Sequence, residues 1–104
     1  GLHGFGHRQI WQVTERSAHH VLMAWQHPAA SAEWPWAFTA QLAYTLCAEG
    51  LEVLLALRND ADTLAPASLG WHPYLPLPAS GRPVAAAAAV ASSLPRSLAA
   101  IMRW

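Results

Sequence analysis

Lysine is absent from this 104-residue chain, and its six basic residues face six carboxylates, so the formal net charge is zero. A pI near 7.2 denies it the electrostatic footprint of a nucleic-acid binder. It also denies it the polybasic cluster that holds a protein to an anionic membrane surface. Cysteine occurs once, as Cys47, which excludes an intramolecular disulfide framework and a cysteine-only zinc site and leaves the redox compartment open. No unbroken apolar run reaches the roughly 18–20 residues of a membrane helix; the longest, residues 84–91, is mostly alanine. No charged start leads into an apolar core, so the N-terminus does not read as a secretory signal. The first residue is Gly1 rather than methionine, and the expectation is a piece of a longer sequence. What is abundant is apolar: 54% of residues are hydrophobic and 12% charged, too apolar a balance for a disordered segment.

Composition shifts near Arg82. Residues 1–81 are varied and hold all six histidines, whereas residues 82–104 are rich in alanine and serine. Trp36, Phe38, Ala40, Leu42, Tyr44 and Leu46 alternate with Thr39, Gln41, Ala43 and Thr45, the period of a half-buried strand. Cys47-Ala48-Glu49-Gly50 reads as a turn in which glycine supplies any positive φ. Leu51, Val53, Leu55 and Leu57 then alternate with Glu52, Leu54, Ala56 and Arg58, and the two runs make an antiparallel hairpin. Residues 19–26 also alternate, with residues 10–14 as partner across Glu15-Arg16-Ser17. Residues 59–62 form a loop, and Pro66, Pro73, Pro76 and Pro78 keep the following stretch non-helical. The pattern up to residue 78 is all-β. Residues 84–94 have high helix propensity through alanine, so a short helical tail is expected there, marginal as an isolated helix.

Three groups of residues offer chemistry: Leu2-His3-Gly4-Phe5-Gly6 with Arg8 and Trp11; Trp34-Pro35-Trp36; and Gly70-Trp71-His72-Pro73-Tyr74. A histidine beside glycine or at a strand end leaves its imidazole reachable, and general acid or base work by such a group contributes about 10²–10⁴-fold in rate. The bland reading, that His3 and His72 are satisfied polar residues at strand ends, stands beside it. His3 and His7 are spaced i, i+4, but Gly4 and Gly6 oppose the helix that would let them share a metal. His19 and His20, adjacent on a strand, point to opposite faces. Trp25, Trp34, Trp36 and Trp71 have flat faces suited to sugar rings, and filling a core is the alternative for each. Cys47, at a hairpin turn with no partner histidine evident, is a weak candidate for a nucleophile.

Leu2-His3-Gly4-Phe5-Gly6 followed by Trp11-Gln12-Val13 resembles the His-Gly segment of the aldose 1-epimerases, the galactose mutarotase-like proteins. Trp34-Pro35-Trp36-Ala37-Phe38, the hairpin, Leu55-Ala56-Leu57-Arg58-Asn59 and Pro66-Ala67-Ser68-Leu69-Gly70-Trp71-His72-Pro73-Tyr74 follow in the family's order. The resemblance covers residues 1 to about 81. It implies an all-β fold, an antiparallel β-sandwich holding an aldose, a hexose, in a groove, with residues 82–104 a tail of unknown role. It implies that His72 acts as general acid on the sugar ring oxygen, that His3 contacts the same sugar and supports ring opening, and that Trp71, Tyr74 and Trp36 bind substrate. The reaction interconverts α and β anomers with no metal and no redox cofactor, in an enzyme expected to be cytoplasmic.

The family's glutamate base and aspartate sugar ligand follow the His-Pro-Tyr segment, yet no glutamate lies beyond Glu52 and no aspartate beyond Asp62. His7 and Leu75 stand where the family favours aromatics. The expectation is therefore an interior fragment carrying half a site, with a non-catalytic carbohydrate-binding module or inactive remnant as the alternative. A third reading gives the alanine-rich tail a role in assembly or at a membrane surface. Strands cut from a sandwich leave unpaired edges and an uncovered apolar face, so marginal stability and self-association through exposed strand edges are expected.

Overall fold

A computed structural model of the chain describes Gly4, residues 6–74, Ala79, and residues 88–94 and 97–103. Among the described residues seven strands follow a 3-10 turn at Gly6–Arg8: β1 (Gln12–Arg16), β2 (His20–His27), β3 (Phe38–Cys47), β4 (Gly50–Asn59), β5 (Ala65–Trp71), β6 (Ala88–Leu94) and β7 (Ser97–Arg103). They form a five-stranded sheet in the order β1-β2-β3-β4-β7 and a two-stranded sheet of β5 and β6, every pairing antiparallel. The all-β reading holds. Among the described residues no helix is long and apolar enough to cross a membrane.

The β3–β4 hairpin follows from the alternation that flanks it. Phe38 pairs with Asn59 and the ladder runs unbroken to Cys47 opposite Gly50, so Ala48 and Glu49 make the reversal. Gly50 has φ 148°, a backbone value that side chains avoid and glycine tolerates. Phe38, Ala40, Val53 and Leu55 are buried on the inner face, as the alternation requires. Ala43 and Thr39 are buried as well, although they alternate onto the outer face. Ala43 is small and stands between Leu22 and Leu54 of the flanking strands. Thr39 accepts from Arg58 Nη2 at 3.2 Å and donates to Asp60 Oδ2 at 2.5 Å, which covers it.

In the β1–β2 hairpin β1 lies two residues, and β2 one residue, further along than the alternation alone suggests. Val13 faces Met23 and Glu15 faces Leu22, so Thr14 is an extra residue, a β-bulge. Its hydroxyl donates to the Leu22 carbonyl at 3.2 Å. The bulge keeps Glu15 and Arg16 in the ladder, and the turn closes with Ser17 N–H donating to the His20 carbonyl at 2.8 Å.

The alanine-rich tail is where propensity and structure part. Residues 88–94 are strand β6, paired to β5, and Ser97–Arg103 is strand β7, paired to β4; the helix expected over residues 84–94 is absent from the described part, and residues 84–87 lie outside it. Alanine's helix preference is worth at most about 1 kcal/mol per residue, and a full ladder of partner hydrogen bonds along an open edge overrides it. In β5 the burial alternates strictly, with Ala65, Ala67 and Leu69 inward and Pro66, Ser68 and Gly70 outward. Leu69 meets Val53, Leu55 and Met102 in the core between the sheets, with Leu42, Tyr44, Leu51, Leu57 and Trp71 packed around them. The two-stranded sheet thus covers the β4 and β7 side of the larger one. Pro76 and Pro78 lie outside the described residues.

Candidate functional site

The inner face of the large sheet is aromatic at one end. Trp25 approaches Phe38 edge-on at 5.2 Å and lies tilted against Trp11 at 6.1 Å. His27 stacks on Phe38 at 4.9 Å with an interplanar angle of 21°. Its Nε2 lies 2.8 Å from the Trp34 carbonyl; a carbonyl only accepts, so Nε2 carries the proton and donates. That bond fixes the start of the Trp34-Pro35-Trp36 segment, where Trp34 and Trp36 meet edge-on at 5.2 Å. Trp11 Nε1 donates to the Gly6 carbonyl at 2.9 Å, and an exposed Arg8–Glu33 pair at 3.4 Å spans the same end. The described part of the His-Gly segment therefore enters beside these aromatics. His3 lies outside the described residues.

His72 is at the other end. It follows Trp71, the last residue of β5, whose indole N–H donates to the Tyr44 hydroxyl at 3.1 Å with the rings 6.2 Å apart. This bond anchors an otherwise terminal residue to β3. His72 is exposed, with the Tyr74 ring 5.4 Å away. Tyr74 is 92% exposed. Beyond the Tyr44 side of this anchor an open hollow of about 330 Å³ is lined by Arg16, Ser17, Ala18, His19, His20, Val21, Tyr44, Leu46 and Leu51. No lining residue carries a carboxylate. Within the hollow's wall His20 Nδ1 lies 2.7 Å from the Thr45 hydroxyl.

Trp71, His72 and Tyr74 thus come together, and Trp36 does not join them. Trp71 meets β3 at Tyr44, whereas Trp36 precedes Phe38; at about 3.3 Å per residue, Phe38 and Tyr44 stand about 20 Å apart. Tyr44, Arg16, His19 and His20 are features the sequence reading did not single out as a site. The alternation places Tyr44 on the inner face, but only the β2–β3 register, with Val21 opposite Tyr44, brings the turn residues to it. Among the described residues no group of three histidine, cysteine or carboxylate side chains is placed to hold a metal. Cys47 is exposed at the end of β3.

A hydrogen-bonded cluster around one carboxylate, Asp60, closes the end of the sheet opposite His72. Arg58 Nε donates to Asp60 Oδ1 at 2.6 Å, beside the Thr39 bond. Partial burial pushes the Asp60 carboxyl up, and the hydrogen bonds from Arg58 and Thr39 with the Arg58 charge outweigh it, so its pKa lies below the ordinary 3.8. Asn59 ties the loop together, its amide donating to the Thr63 carbonyl at 2.8 Å and its Oδ1 accepting from Ala61 N–H at 2.9 Å. The result is a rigid exit from β4 that aims the chain into β5 and so toward His72.

Comparison with known proteins agrees with the motifs. The chain is 30% identical over 76 residues to the uncharacterized protein YphB of Escherichia coli (strain K12), an alignment covering 73% of this chain and 25% of that protein. The chain thus spans about a quarter of the length of the curated relative it matches. No solved structure matches it significantly. The family model for aldose 1-epimerase matches residues 1–92, past residue 81, where the motif resemblance ends, and into β6. With the His-Gly segment, both hairpins and the Trp71-His72-Pro73-Tyr74 segment all inside that match, the chain belongs to the aldose 1-epimerase family.

Proposed function

We propose that this chain carries the His-Pro-Tyr half of an aldose-handling site, in which His72 serves as the general acid of an anomer-interconverting isomerase. In the reaction, a base takes the proton of the C1 hydroxyl while His72 gives its proton to the ring oxygen. The bond from C1 to the ring oxygen breaks, C1 becomes a carbonyl carbon, rotation about the C1–C2 bond exchanges its faces, and closure with the proton transfers reversed yields the other anomer. Proton transfer of this kind requires an imidazole that titrates near neutrality and reaches solvent-borne substrate. The observation that carries the reading is the position of His72: exposed, at the end of a strand that Trp71 fastens to Tyr44, with an exposed tyrosine ring beside it. Trp71 and Tyr74 supply apolar faces for the C–H patches of the sugar; the resemblance alone assigns His3 to the same substrate, and Trp36, beside Trp34 at the opposite end of β3, stands apart from this half of the site.

A second reading is a carbohydrate-binding module without turnover. It is favoured by a specific observation: residues 63–104 contain neither aspartate nor glutamate, so this stretch itself supplies no carboxylate base. Polarimetry of freshly dissolved α-D-glucose and α-D-galactose, with His72→Ala as control, separates the two. Acceleration of mutarotation that disappears in the variant supports the isomerase. No acceleration in a folded sample, together with saturable quenching of tryptophan fluorescence by the sugar, supports the module. Neither acceleration nor quenching refutes both.

A further inference from the structure

The Thr14 bulge decides which charge of β1 faces inward. Val13 stands opposite Met23 on the inner face. Directly opposite residues share a face, so an unbroken ladder would go on to set Glu15 against Val21, inward, and Arg16 against His20, outward. The extra residue instead places Glu15 opposite Leu22 and Arg16 opposite Val21, which turns the carboxylate out and the guanidinium in. Re-aiming a side chain is a recurrent use of bulges, and the Thr14 hydroxyl holds this one through the Leu22 carbonyl. Arg16 thereby joins a row that runs through Val21, Tyr44 and Val53 to Met102. The far end of that row is the core.

Arg16 is also the exception among the described arginines. Arg8 pairs with Glu33, Arg58 with Asp60 and Arg103 with Glu52, whereas Arg16 has no carboxylate partner among the described residues. It lines the hollow of about 330 Å³ with His19, and no carboxylate lines that hollow. Leu46 N–H donates to the His19 carbonyl at 2.7 Å, which fixes His19 across from Leu46. Much of the remaining wall is apolar, from Val21, Leu46, Leu51 and the Tyr44 ring. A guanidinium turned to the inner face is costly to cover unless an anion comes with it. We infer that the hollow is a binding site for a small monocarboxylate with an apolar body, distinct from His72 and independent of the isomerase reading. Arg16, the single permanent charge of the lining, matches one carboxylate through its planar fork. The His19 imidazole stands beside that pair, and Val21 and Leu51 take the apolar body.

Titration of the intact chain with butyrate, followed by amide chemical shifts, tests it. Butyrate moves the resonances of residues 16–21 and 44–46 saturably, and butyramide, its uncharged isostere, does not. Arg16→Gln, at an exposed residue, raises the butyrate dissociation constant at least about tenfold with an unchanged far-ultraviolet spectrum. Arg103→Gln removes the same charge from an arginine that pairs with Glu52 and leaves butyrate binding as it was. The double variant Glu15→Arg with Arg16→Glu keeps composition and net charge, turns a carboxylate into the hollow and abolishes binding. No saturable shift with butyrate, equal binding of butyramide, tighter binding of inorganic phosphate than of butyrate, or binding that survives the exchange of Glu15 and Arg16 overturns the proposal.

Discussion

Val53→Ala is the most direct probe of whether the two sheets form one core. Val53 is fully buried, at 0% exposure, against Leu55, Leu69 and Met102, residues that come from β4, β5 and β7. The substitution removes two buried carbons, about 1.6 kcal/mol at about 0.8 kcal/mol for each. The void left behind adds about 1 kcal/mol where neighbours on three strands hold it open. The total, about 2.5 kcal/mol, is a large part of the roughly 5–15 kcal/mol by which a domain of this size is stable. It corresponds to a fall in Tm of about 10–20 °C at about 4–8 °C per kcal/mol. Urea unfolding followed by circular dichroism gives the value directly, with the slope unchanged if the unfolded state is unaffected. Leu64→Ala, at a site 64% exposed, is the control and shifts stability by less than about 0.5 kcal/mol. Met102→Ala follows Val53→Ala, at about 2–5 kcal/mol, because β7 completes the same core. A Val53→Ala effect no larger than that of Leu64→Ala refutes the packing of the two-stranded sheet on β4, and with it the placement of His72.

Tyr44→Phe removes the acceptor of the Trp71 indole N–H and is expected to destabilise the chain by about 1 kcal/mol, to red-shift tryptophan emission, and to weaken sugar quenching while the strand spectrum persists; unaltered emission and quenching refute the anchoring role. Asp60→Asn costs about 1 kcal/mol at neutral pH through the weakened Arg58 and Thr39 bonds. Because the folded carboxyl titrates below the ordinary value, the wild-type advantage is full above about pH 4, falls as pH drops through the lower folded pKa, and vanishes in stronger acid. Urea midpoints of the two proteins measured from neutral pH to strong acid check this, and an advantage that grows toward acid refutes it.

Much of the fold is legible in local patterning, because a strand's alternation is written in consecutive residues. Residues 36–46 and 51–57 carry it cleanly, and β3 and β4 form the hairpin that it implies. Gly50 marks the turn because only a residue without a Cβ sits comfortably at φ 148°. The His-Pro-Tyr motif likewise stands in the chain as a contiguous string. The Thr14 bulge is less legible: it depends on how β1 meets β2, and no residue type announces it.

The sequence by itself determined the all-β character, the central hairpin and the family. These follow from side-chain periodicity and from motifs short enough to be local. Only the tertiary structure decided the fate of the alanine-rich tail. Its helix preference is a small per-residue term, and strands from distant parts of the chain, β4 and β5, offer it complete ladders instead. Tertiary structure also decided the geography of the site, setting Trp71 and His72 beside Tyr44 and leaving Trp36 with Trp34 at the opposite end. The physical reason is the same in both cases: strand pairing is a contact between residues far apart in sequence, and register, not composition, determines which side chains meet.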